Sequence, residues 1–228
     1  MKLKPGPDPD FPYLDEKTRY QFPDPEKREG NIISIGGNLS PGMLLSAYEQ
    51  GIFPWYGPDD PIIWQSPDPR CVIFPDSLRI SSSMCKILKK QTYKITYDKN
   101  FDGVIRGCAE VTRPNQNGTW ITNDIIEAYT KLHTLGWVHS AEAWLDGELA
   151  GGCYGLLLGK VFCGESMFAK QKNASKAAFI SLAVMLFEHK TALIDCQVPN
   201  PHLMSLGGEE MARNNFLELL KTYKVSRY

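Results

Sequence analysis

The stretch that decides the fold is residues 138–168, VHSAEAWLDGELAGGCYGLLLGKVFCGESMF. Its apolar residues fall into runs of strand length, and two turn signals separate these runs. Asp146-Gly147 is a strong signal for a two-residue hairpin turn, and Gly159-Lys160 marks a second turn. The stretch therefore predicts three consecutive antiparallel strands, a β-meander.

The residues after the meander predict a parallel connection. Residues 175–190 are almost all apolar, which predicts a helix that is buried on most sides. TALIDCQV, residues 191–198, predicts an apolar strand. A strand, a helix and a strand over 160–198 make one parallel crossover. The fold class is therefore α+β (mixed α/β) with a mostly antiparallel sheet, an order that matches the GNAT-like acyltransferase fold. Order alone is weak support for a function.

The chain before the meander divides into two predicted parts. Residues 1–30 are polar and proline-rich and predict an irregular arm. Ser40 as N-cap, Pro41 in the first turn and Gly51 as a stop predict a helix. Residues 53–75, rich in Pro, Asp and Trp, predict an ordered loop that is neither a long helix nor a central strand.

From residue 71 onward the pattern changes to alternating elements. We predict strands at 71–75 and 93–98, and helices at 81–90, 101–110, 123–135 and within 201–224. A polar loop is predicted at 112–118. The chain is therefore expected to have a small N-terminal domain, residues 1–70, and a larger domain, residues 71–228.

Composition excludes several classes of protein. The net charge of −1 argues against a broad, sequence-independent nucleic-acid binder, although local lysine clusters remain at 86–90 and 170–176. No apolar run approaches the roughly 20 residues of a membrane helix, and the N-terminus lacks the apolar part of a signal peptide. A cytoplasmic location is expected. The six cysteines show no zinc-like spacing, which predicts reduced and mostly buried thiols.

Three polar residues follow apolar strand patterns. Glu165 comes at the end of one predicted strand, and Asp195 and Gln197 come at the end of the next parallel one. Ligands bind at the carboxyl ends of such strands, and residues two apart share a face. We therefore expect all three in one crevice, with a salt bridge or cap at a strand end as the alternative. A carboxylate beside apolar side chains needs a positive or hydrogen-bonding partner.

Aromatic residues in loops provide a second signal. Trp55, Tyr56, Trp64 and Trp120 could form a stacking surface for a base or ring, or could pack in the core. The sequence has no nucleophile elbow, Walker motif or G-x-G-x-x-G, and its four histidines show no metal spacing. KQKNASKAA, before the buried helix, lacks the glycine-rich turn with which GNAT enzymes hold the CoA pyrophosphate, so CoA is disfavoured.

Eight short motifs, in this order, resemble those of the leucyl/phenylalanyl-tRNA–protein transferase family over residues 30–217. They are GGNLSPGMLLSAYEQGIFPWY, WQSPDPR, GTWIT, GGCYG, GESMF, NASKAA, IDCQ and HLMSLGG. The resemblance implies a small N-terminal domain and a GNAT-like catalytic domain. It implies transfer of Leu or Phe, also Met, from aminoacyl-tRNA to proteins with N-terminal Arg or Lys, which marks them for N-end rule degradation. No cofactor or metal is implied, because the ester of aminoacyl-tRNA is already activated.

The resemblance also implies roles for the polar residues. Glu165 would meet the acceptor's amine or its Arg or Lys side chain. Gln197 would accept a hydrogen bond from the amine, and Asp195 would polarise or orient Gln197. Proton transfer through the terminal ribose of the tRNA remains an open alternative.

The substrate-binding residues follow from the same resemblance. Trp55 and Trp120 would bind the terminal adenosine or frame the acyl pocket. Lysines of the 170–176 cluster would meet the phosphates of the acceptor stem; they are Lys170, Lys172 and Lys176. The acyl pocket would be lined by Cys153, Phe162, Met167, Phe179 and Ile194.

Three positions depart from the family pattern. Gln65 stands where a second Trp is usual, Cys153 where a larger apolar residue is common, and Ala169 where Ser is usual. Two rival functions remain open. One is a CoA-dependent GNAT-type N-acyltransferase, and the other is a non-catalytic module that binds N-terminal basic residues through Glu165.

Overall fold

The structure is a computed structural model that describes residues 4–111 and 119–224. The predicted polar loop at 112–118 lies outside the described residues. The α-helices are α1 (Pro41–Glu49), α2 (Ser82–Lys89), α3 (Phe101–Glu110), α4 (Asn123–Thr134), α5 (Ala174–Glu188), α6 (Pro201–Ser205) and α7 (Arg213–Tyr223). The strands are β1 (Ile32–Ile35), β2 (Phe53–Pro54), β3 (Ile63–Gln65), β4 (Arg70–Ile73), β5 (Lys94–Tyr97), β6 (Val138–Leu145), β7 (Glu148–Leu158), β8 (Val161–Ala169), β9 (Leu193–Gln197) and β10 (Glu209–Met211).

A seven-stranded sheet forms the centre of the molecule. Its order is β10-β4-β9-β8-β7-β6-β5, and β8 and β9 form its single parallel pair among the described strands. The meander β6-β7-β8 and the crossover from β8 through α5 to β9 are both confirmed. The α+β class follows directly from this arrangement.

The predicted turns have the backbone conformations that their residues favour. Asp146 and Gly147 both have positive φ values, 52° and 85°, as a two-residue hairpin turn of type I′ requires. Gly159 begins the second turn with φ 57°. These turns fix the register of the meander, and so they decide which side chains of β8 face each side of the sheet.

The predicted loop at 53–75 contains two strands, β2 and β3, which corrects the sequence interpretation, whereas β4 confirms the strand predicted at 71–75. β2 and β3 join β1 in a three-stranded antiparallel sheet, β1-β3-β2, and β4 lies inside the large sheet between β10 and β9. Pro69 and Pro75 flank β4 instead of interrupting it, so a strand pairs on both sides there. β1, β2 and β3 escaped prediction because two to four residues show no alternation of polar and apolar side chains. The charged strand β10 was missed for the same reason.

Over residues 4–30, the N-terminal arm has a single 3₁₀ turn, Pro25–Lys27, and otherwise packs against α1 without a helix or a named strand. Ser40 is the N-cap residue of α1, as predicted, but its hydroxyl accepts a hydrogen bond from Leu14 N at 3.1 Å and forms no capping bond to its own helix. A Cβ atom on Gly42 would lie 2.3 Å from the Asp15 carbonyl oxygen, so only glycine allows the arm to approach α1 this closely.

Apolar side chains fill both faces of the large sheet. One cluster contains residues of α1, α3, α4 and α7, and it includes the arm residue Phe22 and strand residue Trp64. The other contains α5, together with parts of α2 and α6. Because the first cluster joins residues from both sides of position 70, the two proposed domains share one core, and the boundary between them stays a prediction. No described helix is long and apolar enough to cross a membrane.

Candidate functional site

A cavity of about 440 Å³ lies where β8 and β9 part. The parallel pairing runs from Val161–Leu193 to Cys163–Asp195 and ends there, although both strands continue. Beyond the last pair, β8 remains paired with β7 and β9 remains paired with β4, so a gap opens between β8 and β9. Glu165 and Gln197 lie just past this point and both line the cavity.

Glu165 lies inside β8 and not at its end, where the sequence pattern predicts it. β8 continues to Ala169, because β7 supplies hydrogen-bonding partners past Gly164. The register shifts between Tyr154–Ser166 and Gly155–Gly164, which leaves Glu165 as the extra residue of a β-bulge. Bulges commonly redirect a side chain next to an active site, and here Glu165 turns toward the cavity.

The partners of Glu165 are neutral hydrogen-bond donors. Gln197 Nε2 donates to Oε1 at 3.0 Å, and the Tyr129 hydroxyl donates to Oε2 at 3.3 Å. The Tyr48 hydroxyl forms a short hydrogen bond with that of Tyr129. The Glu165 residue is 9% exposed. Among the described residues, the acid is therefore met by neutral groups, an amide and tyrosine hydroxyls, with no cation in direct contact.

This environment changes the acid–base chemistry of the site. Burial raises the pKa of Glu165 to about 8, although hydrogen bonds from Tyr48 and Tyr129 and the charge of Arg70 act in the opposite direction. Asp195 adds to the rise through its negative charge. Burial also raises the pKa of both tyrosines far above their usual values, so they remain protonated donors. Near neutral pH this environment therefore favours a protonated, uncharged Glu165.

Asp195 faces away from the cavity and forms a buried ion pair. Arg70 Nε and Nη2 donate to its two oxygens at 2.8 and 2.6 Å, and both side chains are at most 1% exposed. The guanidinium lies between the rings of Phe53 and Phe216, 5.0 and 4.4 Å from their centroids. The expectation that three polar residues share one crevice therefore holds for Glu165 and Gln197 and is wrong for Asp195.

Asp195 nevertheless determines how Gln197 is held. Its Oδ1 accepts a hydrogen bond from Gln197 N at 2.9 Å. Gln197 has φ 63°, a left-handed conformation that is uncommon outside glycine. The regular alternation of β9 breaks at this residue, and its side chain turns to Glu165. The ion pair with Arg70 thus holds the Asp195 carboxylate in place, and this carboxylate in turn orients the backbone of Gln197.

The rest of the cavity wall is mainly apolar. Cys153, Phe162, Met167 and Phe179 line it, as the resemblance implied. Ile194 is paired with Phe162 across β8 and β9 but is buried in the core, outside the described lining of the cavity. An adaptable apolar side chain such as Met167 suits a pocket that accepts more than one substrate.

Aromatic and basic residues lie around this pocket. Trp55 and Trp120 are half-buried and line the cavity. Lys170 and Lys172 are exposed in the turn between β8 and α5. Lys176, in the first turn of α5, is half-buried. The pKa of the cavity-lining His202 is lowered first by the burial of its own ring and then by the positive charge of Lys176. The three lysines therefore lie at the cavity end of β8.

Three residues of the site were missed in the sequence. Tyr48 and Tyr129 come from helices in distant parts of the chain, and no local pattern distinguishes them from core tyrosines. Arg70 had a detectable signal, since an arginine at the start of the apolar strand RCVI requires a buried acid. Over residues 4–111 and 119–224, no group of three or more His, Cys, Asp or Glu side chains could hold a metal ion.

Comparison with known proteins gives consistent matches over most of the chain. Residues 72–221 match the family model described as leucyl/phenylalanyl-tRNA protein transferase, and residues 37–68 match that of its N-terminal domain. A leucyl/phenylalanyl-tRNA–protein transferase of Flavobacterium johnsoniae is 53% identical over 86% of this chain and 93% of its own length. One from Hahella chejuensis is 48% identical over 93% of this chain and 91% of its own length.

Similarity among solved structures is weaker. A conserved protein of unknown function from Bacteroides thetaiotaomicron aligns with a TM-score of 0.42 at 10% identity, covering 60% of this chain and 53% of its own. That similarity is too low to assign a fold family. The sequence matches are decisive: the chain belongs to the leucyl/phenylalanyl-tRNA–protein transferase family and is an aminoacyltransferase.

Proposed function

We propose that this aminoacyltransferase moves Leu, Phe or Met from aminoacyl-tRNA to the α-amine of proteins that begin with Arg or Lys. The product would be marked for degradation by the N-end rule pathway, in the cytoplasm where aminoacyl-tRNA is made. The parting of β8 and β9 beside the crossover helix supports a GNAT-like catalytic domain over residues 71–228. The observation that carries the proposal is the Glu165–Gln197 pair on the wall of an apolar cavity.

The cavity provides a suitable site for the aminoacyl end of the tRNA. A Leu, Phe or Met side chain would occupy the apolar part between Cys153, Phe162 and Phe179. Trp55 and Trp120 offer flat surfaces on which the terminal adenine can stack, an interaction that tolerates any base. The ester carbonyl would then lie close to Glu165 and Gln197.

The reaction requires one bond to form and one to break. The acceptor's amine nitrogen attacks the ester carbonyl carbon, a C–N bond forms, and the bond from that carbon to the ribose oxygen breaks. The proton lost by the amine ends on the departing ribose oxygen. Because the ester is already activated, most of the rate gain should come from positioning the two substrates.

Glu165 is suited to take part in the proton transfer. Its pKa of about 8 lies close to the value of about 7.7–8.0 for a free α-amine, and a general base works best when its pKa is near the operating pH. An arriving cationic acceptor favours the carboxylate form. Gln197 would accept a hydrogen bond from the amine through its carbonyl oxygen. The tRNA ribose hydroxyl remains the alternative carrier of the proton.

One transfer experiment tests the proposal directly. The protein is mixed with tRNA charged with labelled Phe or Leu and a peptide beginning with Arg, with EDTA present and without CoA or ATP. We expect label on the Arg peptide in an RNase-resistant form, and little on the same peptide beginning with Ala. Equal labelling of both peptides would contradict the acceptor specificity. Arg-peptide binding without transfer would favour the binding-module alternative, and stabilisation by acetyl-CoA would favour the CoA-dependent one.

A double variant tests the predicted interaction of the lysines with tRNA. Lys170→Ala with Lys172→Ala is expected to raise the KM for charged tRNA and to leave kcat nearly unchanged, because phosphate contacts position the substrate. The slope of log affinity against log salt should become shallower by roughly 0.7–0.9 for each phosphate that the lysines no longer neutralise. Transfer rates measured across a salt series provide the test.

The matched control uses lysines at the opposite end of the same elements. Lys160 precedes β8 and Lys190 follows α5, and both are exposed. Their double replacement by alanine removes the same charge and should leave the KM for tRNA and the salt slope unchanged. Equal effects from both double variants would show that net charge, and not a local interaction, governs tRNA binding.

A further inference from the structure

Two cysteine thiols lie together beside the cavity. Cys71 is in β4 and Cys196 is in β9, two neighbouring antiparallel strands. Cys196 lines the cavity, whereas Cys71 is completely buried behind it. The two thiols lie close enough that each shifts the pKa of the other. Both are free thiols in the structure.

A β-bulge explains why the thiols meet. The register of β4 and β9 goes from Cys71–Gln197 to Val72–Asp195, which leaves Cys196 as the extra residue between these pairs. The two side chains share one apolar cluster. The residue directly opposed to Cys71 is Gln197, so Cys196 lies one position from that pair. A disulfide, which requires Cα atoms about 4.4–6.8 Å apart, would tighten this part of the bulge.

We propose that Cys71 and Cys196 are a peroxide-sensitive dithiol whose oxidation to a disulfide reversibly stops aminoacyl transfer. Peroxide is small enough to reach Cys196 through the cavity when the substrates are absent. Occupation of the cavity by aminoacyl-tRNA should protect the pair.

The oxidation balances with peroxide as the sole oxidant. One sulfur attacks the O–O bond of the peroxide as a thiolate, which gives a sulfenic acid and, after protonation of the leaving oxygen, one water. The second sulfur then attacks the sulfenic sulfur and displaces hydroxide, which leaves as a second water. The two thiols together lose two protons and two electrons, and peroxide is reduced to water.

The two sulfurs differ in how easily they lose a proton. The neighbouring thiol of Cys196 lowers the pKa of Cys71, against burial and the negative charges of Asp195 and Glu210. The neighbouring thiol of Cys71, with burial, raises the pKa of Cys196, and Asp195 and Cys163 add to that rise. Cys71 is therefore the sulfur that holds the negative charge more easily.

The disulfide would alter the residue next in the chain. Cys196 precedes Gln197, which has a φ of 63°. The backbone N–H of Gln197 donates a hydrogen bond to Asp195, and its side chain donates one to Glu165. Both hydrogen bonds depend on the conformation of the bulge. Drawing the sulfur of Cys196 toward β4 displaces this peptide. This effect on transfer rests on the proposed role of Gln197, whereas disulfide formation itself does not.

The experiment measures the bond and the activity separately. The reduced protein is treated with hydrogen peroxide, and intact and peptide masses are recorded beside the rate of transfer from charged tRNA. We expect loss of two hydrogens, a peptide linking Cys71 to Cys196, and a rate at least roughly tenfold lower. Dithiothreitol should restore both, and charged tRNA added before peroxide should slow both changes.

Two variants complete the test. Cys71→Ala should keep its basal transfer rate and resist peroxide, with Cys71→Val as a second form if the first folds poorly. Cys85→Ala, which removes a half-buried thiol on α2, should remain as sensitive as the unaltered protein. The proposal is overturned if no Cys71–Cys196 bond forms, or if Cys71→Ala is still inactivated reversibly. A disulfide that leaves transfer unchanged would overturn the regulatory part while leaving the transferase reaction intact.

Discussion

Replacing Asp195 with alanine is expected to lower the free energy of unfolding by about 3–5 kcal/mol, because it leaves the buried charge of Arg70 without its partner. Arg70 is 1% exposed and keeps one carbonyl hydrogen bond, to Gly51 O at 3.1 Å. Transfer should also fall, by at least about tenfold, since the backbone of Gln197 loses the acceptor that fixes its orientation. Urea unfolding and transfer rates measure the two effects.

A surface ion pair of the same chain provides the control. Asp102 and Arg106 form an i,i+4 pair on α3 at 2.8 Å, with side chains 62% and 57% exposed. Asp102→Ala should change the free energy of unfolding by less than about 1 kcal/mol and leave transfer unchanged. Comparable losses in the two variants would show that burial is not what makes the Asp195 pair important.

A double variant separates stability from positioning. Arg70→Met with Asp195→Leu removes both buried charges, and such replacements often restore stability. We expect it to unfold at a higher urea concentration than Asp195→Ala and to transfer no faster. Recovery of transfer together with stability would contradict the proposed action of Asp195 through the backbone of Gln197.

The elements that the sequence predicted correctly depend on local signals. Asp146-Gly147 adopts the turn conformation its residues favour, and the apolar run after residue 174 forms the buried crossover helix. From this crossover alone, Glu165 and Gln197 could be placed in one crevice, and they meet at 3.0 Å. Local pattern was sufficient wherever turn chemistry and hydrophobic periodicity agreed.

The parts that failed depend on irregular backbone and on distant contacts. Two bulges, at Glu165 and Cys196, shift side chains by one position, and no period-two pattern can reveal such a shift. The partner of Glu165 on α4, Tyr129, is 36 residues away, and Asp195 is 125 residues from Arg70. A sequence shows that a buried acid needs a partner, but packing decides which one.

Glu165→Gln is expected to lower kcat/KM for transfer by about 100-fold or more, the usual contribution of a positioned acid or base. The substitution keeps the size of the side chain and an acceptor for the Tyr129 hydroxyl, but it removes the group that exchanges a proton. The rate of the unaltered enzyme should rise as pH passes through about 8, where Glu165 ionises. The variant should keep only the part of this rise that belongs to the acceptor's amine.

Unfolding provides a second readout of the same residue. The folded protein holds the Glu165 proton up to about pH 8, whereas the unfolded chain releases it near 4.5. Between these values the folded state binds more protons, so this group's contribution to stability is complete below pH 4.5 and is lost as pH rises through 8. The slope contributed by one proton is at most about 1.4 kcal/mol per pH unit. Glu165→Gln should flatten this decline and be more stable than the unaltered protein above pH 8.

A second buried glutamate controls for the loss of a carboxyl. Glu142 is fully buried in β6 and accepts hydrogen bonds from Thr96 and Ser140, away from the described lining of the cavity. Glu142→Gln is expected to lower stability, since it disturbs those bonds, but it should leave kcat/KM and its pH profile unchanged. Near-normal transfer by Glu165→Gln would exclude the carboxyl from the reaction and leave proton transfer to the tRNA ribose. A loss confined to a higher KM for the acceptor, with kcat kept, would instead assign Glu165 to binding the acceptor's charge, because a binding role changes affinity and not the chemical step.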